Sequence, residues 1–132
     1  MKLPKIPPKL YKKYKVQALY LFGSQAKGKT HAQSDTDLAV RFRHNPTLKE
    51  MLKLSNELAP YFSSEIDLVD LADASLPLQY RIFRERRLLY AENPMHESTR
   101  RALTLTLYYD YKYYYDRFSK FETDRIAKYG LT

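Results

Sequence analysis

Residues 21–40 read LFGSQAKGKTHAQSDTDLAV, and their order decides the fold. An apolar run ends at Phe22 and Gly23-Ser24 turns the chain; ten residues later Asp35-Thr36-Asp37 opens a second apolar run. Side chains of a strand alternate between its faces, so Asp35 and Asp37 are predicted to project together, with Leu38 and Val40 alternating in the strand beyond. Two carboxylates this close repel unless a cation lies between them. Mg²⁺ takes oxygen ligands, keeps several waters and is commonly shared between one or two carboxylates and substrate phosphates. Gly23 lets the backbone approach a phosphate closely, and Ser24 adds a hydroxyl donor. An Asx-rich turn would account for Asp-Thr-Asp alone. The ordered set of strand, Gly-Ser, spacer, Asp-x-Asp and strand points instead to a metal and nucleotide site.

Outward from this stretch, residues 16–22 (VQALYLF) and 37–42 are predicted strands, rich in aliphatic and aromatic residues. Residues 24–27 are predicted to begin a short helix whose free N–H groups face the site, an arrangement that suits a phosphate. Thr47 is placed to cap a helix with Glu50 three residues on. Leu48, Met51, Leu52, Leu58, Ala59 and Phe62 give that helix, residues 48–62, an apolar stripe. A third strand is predicted at 66–71 (IDLVDL), a turn at 72–77, a helix at 78–86 and a short extended piece at 88–90. After the Asn93-Pro94 break, residues 95–129 read as one long helix. Along it Leu103, Leu107, Tyr111, Tyr114 or Tyr115, Phe118 and Phe121 recur at helical spacing. The expected fold class is α/β (α+β): a small mixed sheet with helices packed on one face, plus a long C-terminal helix. One domain is expected over 1–132, made of a basic lead-in (1–13), an α/β core (14–93) and a tyrosine-rich helical region (94–132).

The chain has 132 residues, enough for one substantial core. Its net charge of +8 and sequence pI near 9.6 favour polyanions: nucleoside triphosphates, nucleic acid or an acidic protein. Nucleic acid is possible but not favoured, since no zinc finger, RNA-recognition signature or helix-turn-helix pattern is evident. Cysteine is absent, so neither a disulfide nor a thiolate zinc site can form. No apolar run is long enough to span a bilayer. The basic start, MKLPKIPPKLYKKYK, lacks the apolar core of a secretory signal. A cytoplasmic location is therefore expected. His31, His44 and His96 lack zinc-ligand spacing. Arg81, Arg84, Arg86 and Arg87 form a basic run that reads as a solvated helix face, or as a phosphate clamp or acidic docking surface.

The segment GSQAKGKTHAQSDTD, residues 23–37, resembles the Gly-Ser-x10-Asp-x-Asp signature of the DNA polymerase β-like nucleotidyltransferase superfamily. The chain is similar to its minimal nucleotidyltransferases and, among them, to the MntA-type antitoxins, which are paired with HEPN-domain ribonuclease toxins. The motif covers 23–37 alone; a looser similarity, in element order and in the tyrosine-rich C-terminal helix, covers most of the chain. The resemblance implies a nucleotidyltransferase-like fold, ATP as substrate and Mg²⁺ as cofactor. The metal ligands and catalytic carboxylates would be Asp35, Asp37 and a third acid. The third strand offers Asp67 and Asp70 on opposite faces. The family's apolar-Asp-Leu strand is matched by Ile66-Asp67-Leu68, which implies Asp67 and leaves Asp70 as a strand-end or cap residue. Gly23 and Ser24 would grip the triphosphate, and Lys27, with Lys29, would neutralise phosphate charge.

By the same resemblance, the reaction is transfer of AMP to a tyrosine hydroxyl of a cognate HEPN toxin by a two-metal mechanism, which neutralises the toxin. Two alternatives differ in kind: a non-catalytic antitoxin acting by occlusion, and nucleotidyl transfer to RNA or a small molecule. Small-molecule transferases of this superfamily usually carry a larger second domain, whereas only residues 94–132 follow Asn93. The stretch LYYDYKYYYD, residues 107–116, crowds six tyrosines around most of a helix's circumference. Part of that helix is expected to be core and part a protein contact, since tyrosine is enriched in interface hot spots. Stacking on nucleic acid bases ranks behind both.

Overall fold

The two apolar runs flanking the Gly-Ser turn become adjacent strands, β1 (Val16–Phe22) and β2 (Thr36–Phe42), paired antiparallel so that Phe22 lies opposite Asp37. The computed structural model describes residues 3–26 and 35–129. β3 (Ile66–Asp70) runs parallel to β2, and β4 (Arg87–Ala91) antiparallel to β1, giving a four-stranded mixed sheet in the order β3-β2-β1-β4. A parallel neighbour needs a crossover. The helix α2 (Leu48–Leu58), extended by a 3₁₀ turn at Ala59–Tyr61, supplies it between β2 and β3. Before the sheet comes α1 (Pro8–Lys13); after β3 come α3 (Leu76–Glu85) and, beyond β4, α4 (Pro94–Tyr129).

Local chemistry fixes the helix starts. Thr47 Oγ1 accepts the Glu50 N–H at 3.1 Å while the Glu50 carboxylate accepts the Thr47 N–H at 3.2 Å, a complete capping box. Ser75 Oγ accepts the Leu78 N–H, so α3 starts two residues before the predicted 78, with Pro77 in the first turn where its missing N–H does no harm.

The mixed sheet and the long C-terminal helix are as expected, but the helices divide between two faces instead of sharing one. Leu19, Leu21, Leu38, Val40 and Phe42 pack with Tyr11 and Tyr14 of the α1 segment and with Leu54, Leu58 and Phe62 after β2. The alternate residues Ala18, Tyr20, Phe22 and Ala39 pack with Ile82 and Phe83 of α3, with Val69, Leu71 and Leu105 around them. The central strands are apolar at nearly every position because both their faces are covered.

Of the two predicted stripes, that of α2 meets the core in part and that of α4 faces away from it. In α2 the core takes Leu54 and Leu58, with Met51 beside them, while Leu48 and Leu52 are exposed on a neighbouring face. In α4 the residues Leu103, Leu107, Tyr111, Tyr114, Phe118 and Phe121 are all 41–70% exposed. The covered side of α4 is instead Glu97, Thr104, Leu105 and Tyr108, whose ring stacks on Tyr80 of α3 at 3.9 Å. Glu97 explains this orientation. It is 3% exposed, accepts the Tyr20 hydroxyl at 2.6 Å and pairs with the Arg41 guanidinium at 3.1 Å. A buried carboxylate must sit where its donors are, so this latch sets which face of α4 meets the sheet. Among the described residues, no helix is long and apolar enough to cross a membrane.

Candidate active site

Three sequence segments meet at one end of the sheet. β1 runs toward that end and stops at Phe22; β2 and β3 start from it; and the end of α3 returns over it before β4. The parallel register sets Asp37 directly beside Asp67. Neighbouring strands lie about 4.8 Å apart, so the two carboxylates leave the same face of the sheet side by side. Asp35 is exposed, one residue before β2, and its charge reaches Asp37. Thr36 between them is buried on the opposite face, its hydroxyl against that of Ser64. Asp70 is at the other end of β3, where it pairs in register with Val40 and accepts the Ala72 N–H at 3.2 Å.

Gly23 has φ of +75°, in the left-handed region that favours glycine. A Cβ at this position would run into the Asp37 carboxylate. Glycine is thus required by Asp37 itself as well as by the turn. Ser24 is half-buried in the same turn, which occupies Ser24–Ala26 in place of the start of a helix. Lys27, Lys29 and His31, and the rest of the expected short helix, lie outside the described residues.

Burial first, and the Asp67 charge next, hold the Asp37 carboxyl above its ordinary range; Arg81 opposes the shift, and Asp35 and Glu85 add to it. Among the described residues, carboxylates outnumber cations around Asp37. An all-oxygen, multi-carboxylate donor set suits Mg²⁺, which can complete its shell with water and substrate phosphate. Among the described residues, no three acidic or histidine side chains converge into a ready-made metal cluster. The fit therefore rests on donor chemistry and on ligands a substrate would bring.

Two residues at this end were not anticipated as a pair. Glu85 accepts the Gly23 N–H at 3.0 Å through one oxygen and the Arg81 Nε–H at 3.0 Å through the other. Arg81 also lies over the Phe22 ring, 5.8 Å from its centroid. The basic run separates into distinct contacts. Arg87 donates to the Ala26 carbonyl at 2.8 Å and pins the turn, Arg86 donates to the Phe83 carbonyl, and Arg84 reaches the Tyr80 hydroxyl. A lone acid inside RIFRERR, residues 81–87, was the signal for Glu85.

Strand, glycine turn, paired strand-end carboxylates and a βαβ return define the nucleotidyltransferase class of site. Residues 4–95 match the family described as Polymerase beta, Nucleotidyltransferase, and the chain belongs to that family. It is 36% identical over 76 residues to the protein adenylyltransferase MntA of Shewanella oneidensis, an overlap of 58% of this chain and 55% of that protein. The chain therefore aligns with only about half the length of that curated relative. Its structure is similar to that of a toxin-antitoxin with AMP-PNP, with a TM-score of 0.74 and 26% identity over 88% of this chain and 94% of the other. A complex of tri-AMPylated Shewanella oneidensis HEPN toxin with MNT antitoxin gives a TM-score of 0.67 at 24% identity, over 88% and 92% of the two chains; this likeness bears on the fold alone.

Proposed function

We propose that this chain is an antitoxin nucleotidyltransferase that moves AMP from ATP to a tyrosine hydroxyl of a cognate HEPN-domain ribonuclease toxin, and so neutralises it. The observation that carries the reading is the meeting of the Gly23 turn with the Asp37 and Asp67 carboxylates at one sheet end, in a chain of this family. The adenylyltransferase relative and the AMP-PNP-bound toxin-antitoxin neighbour support ATP as donor and a toxin as acceptor.

In this reading Asp35, Asp37 and Asp67 hold Mg²⁺, two ions in the full mechanism, which supplies charge stabilisation to the attacking and leaving oxygens. Gly23 and Ser24 grip the triphosphate through backbone and hydroxyl donors, with Lys27 adding a cation. The acceptor oxygen attacks the α-phosphorus in line, the α–β phosphoanhydride breaks, and pyrophosphate departs. Asp67, which is exposed, would take the hydroxyl proton. The three units 1–13, 14–93 and 94–132 act as one domain, working in the cytoplasm beside its ATP.

The exposed stripe of α4 supports a helical partner surface. Leu107, Tyr111, Tyr114, Phe118 and Phe121 follow one another at intervals of four or three residues, the spacing by which one helix packs along another. The test is to incubate the protein with Mg²⁺, ATP and the product of its neighbouring gene, then weigh the intact partner. A gain of one or more AMP units, absent with Asp35→Asn/Asp37→Asn, is expected. A stable complex without mass gain would favour occlusion, and labelling of added tRNA or small molecules would redirect the acceptor.

A further inference from the structure

Glu85 stands in a place its own helix does not favour. It is the last residue of α3, where the helix dipole disfavours an anion. Its i,i+4 partner Arg81 precedes it, the less favourable order for an ion pair on a helix. It adds a further negative charge beside Asp37, whose carboxyl already feels Asp67 and Asp35. Yet its side chain is only 11% exposed, and it is tied to the Gly23 amide and to Arg81 through its two oxygens. A backbone N–H at a glycine turn and an arginine guanidinium are the two donor types that together recognise phosphate.

We propose that the Glu85 carboxylate is an internal stand-in for a nucleotide phosphate, holding the Gly23 amide and Arg81 until a polyphosphate displaces it and takes over both donors. This rests on the reading that the triphosphate binds at the Gly23 turn. It adds two residues of α3 to nucleotide binding: Arg81 as a phosphate contact, and Glu85 as a positioning residue that sets the affinity for it. Arg81 is placed for this because the Phe22 ring beneath it persists when Glu85 swings away. The energetic consequence is a competition. A ligand that must first expel an occupant binds more weakly by the fraction of molecules in the open state. One charge-assisted hydrogen bond to the occupant makes that fraction about one tenth.

The test is calorimetric titration of AMP-PNP with Mg²⁺ into the wild type, Glu85→Gln, Glu85→Ala and Arg81→Gln, each checked for folding by circular dichroism. Glu85→Gln and Glu85→Ala are expected to bind about tenfold more tightly, and Arg81→Gln about tenfold more weakly. A second measurement needs no variant. In the wild type, the Gly23 amide and Arg81 Nε–H resonances should both shift on saturation with AMP-PNP. Wild-type binding that Glu85→Gln leaves unchanged or weakens overturns the stand-in alone. Saturation that leaves the Gly23 amide unmoved while Asp37 responds overturns the Gly23 grip and the stand-in with it, and leaves the carboxylate site standing. No binding and no shift in any protein overturns the Gly23 phosphate grip and the stand-in together.

Discussion

Replacing Gly23 by alanine tests the link between the turn and the carboxylate beside it. An L-residue at φ of +75° costs about 1–2 kcal/mol of backbone energy. The new Cβ would overlap the Asp37 carboxylate, which must leave its rotamer at about 0.5–1.5 kcal/mol. Reduced freedom of the unfolded chain returns about 0.4–1 kcal/mol. The net loss is about 1–2 kcal/mol, a fall in melting temperature of roughly 4–8 °C for a domain of this size. Lys15 is the internal control. It follows the α1 C-cap at φ of +52°, where glycine is usual, so Lys15→Gly should stabilise the protein by about 0.5–1 kcal/mol. Thermal unfolding by circular dichroism reads both, and AMP-PNP titration reads the site. Gly23→Ala should lose nucleotide affinity beyond its loss of stability, because Asp37 has moved; Lys15→Gly should leave affinity alone. An alanine variant with unchanged melting temperature and unchanged affinity would refute the claim that Gly23 is glycine because of Asp37.

Three further outcomes follow from the same geometry. The folded-state pKa of Asp37 is raised, so its ionised form costs stability above that pKa; without metal, Asp37→Asn should melt higher than wild type at neutral pH. That advantage should vanish as pH falls through the raised pKa toward the ordinary carboxylate range, and Mg²⁺ should raise the melting temperature of the wild type more than that of the variant; a variant that melts lower at neutral pH would contradict the sign. Glu97→Ala leaves Arg41 buried without its partner and should cost about 3–5 kcal/mol by urea unfolding, while a loss under about 1 kcal/mol would show that the latch does not hold α4. Leu107→Glu/Phe118→Glu should change stability by less than about 0.5 kcal/mol because both sites are exposed, yet abolish co-purification with the partner; retained co-purification would move the interface elsewhere.

Legibility in the sequence followed the range of the interaction. β1, β2 and the α2 cap were readable because apolar runs, Thr47 and Glu50 act within a few residues of one another. The pairing of Asp37 with Asp67 spans thirty positions, and spacing alone left Asp67 and Asp70 both open; the parallel register puts Asp67 beside Asp37 and Asp70 at the far end. The apolar periodicity of α4 was real, and its stripe faces away from the core. Periodicity locates an apolar face without saying what covers it, and here the buried face was chosen by Glu97, a charged residue that hydropathy assigns to solvent. Glu85 was only half legible for a related reason: Arg81 lies four residues before it on the same helix, but its other donor, Gly23, is 62 residues earlier in the chain.

These two glutamates give the chain's two ends of α3 and α4 different characters. Glu97 is held by Tyr20 and Arg41 of the central strands and nearly closed to solvent, so it fixes α4 as part of the fold. Glu85 is held by a turn amide and by an arginine that is itself 56% exposed, so the same kind of group is there within reach of exchange. A carboxylate satisfied entirely by buried donors is costly to move; one satisfied at a rim can yield to an anion that offers the same donors more charge. The acidic cluster at the sheet end and the exposed stripe of α4 are thus set by separate anchors. Changes at one should leave the other standing, which is what the proposed modification of a partner at the first and its docking on the second would require.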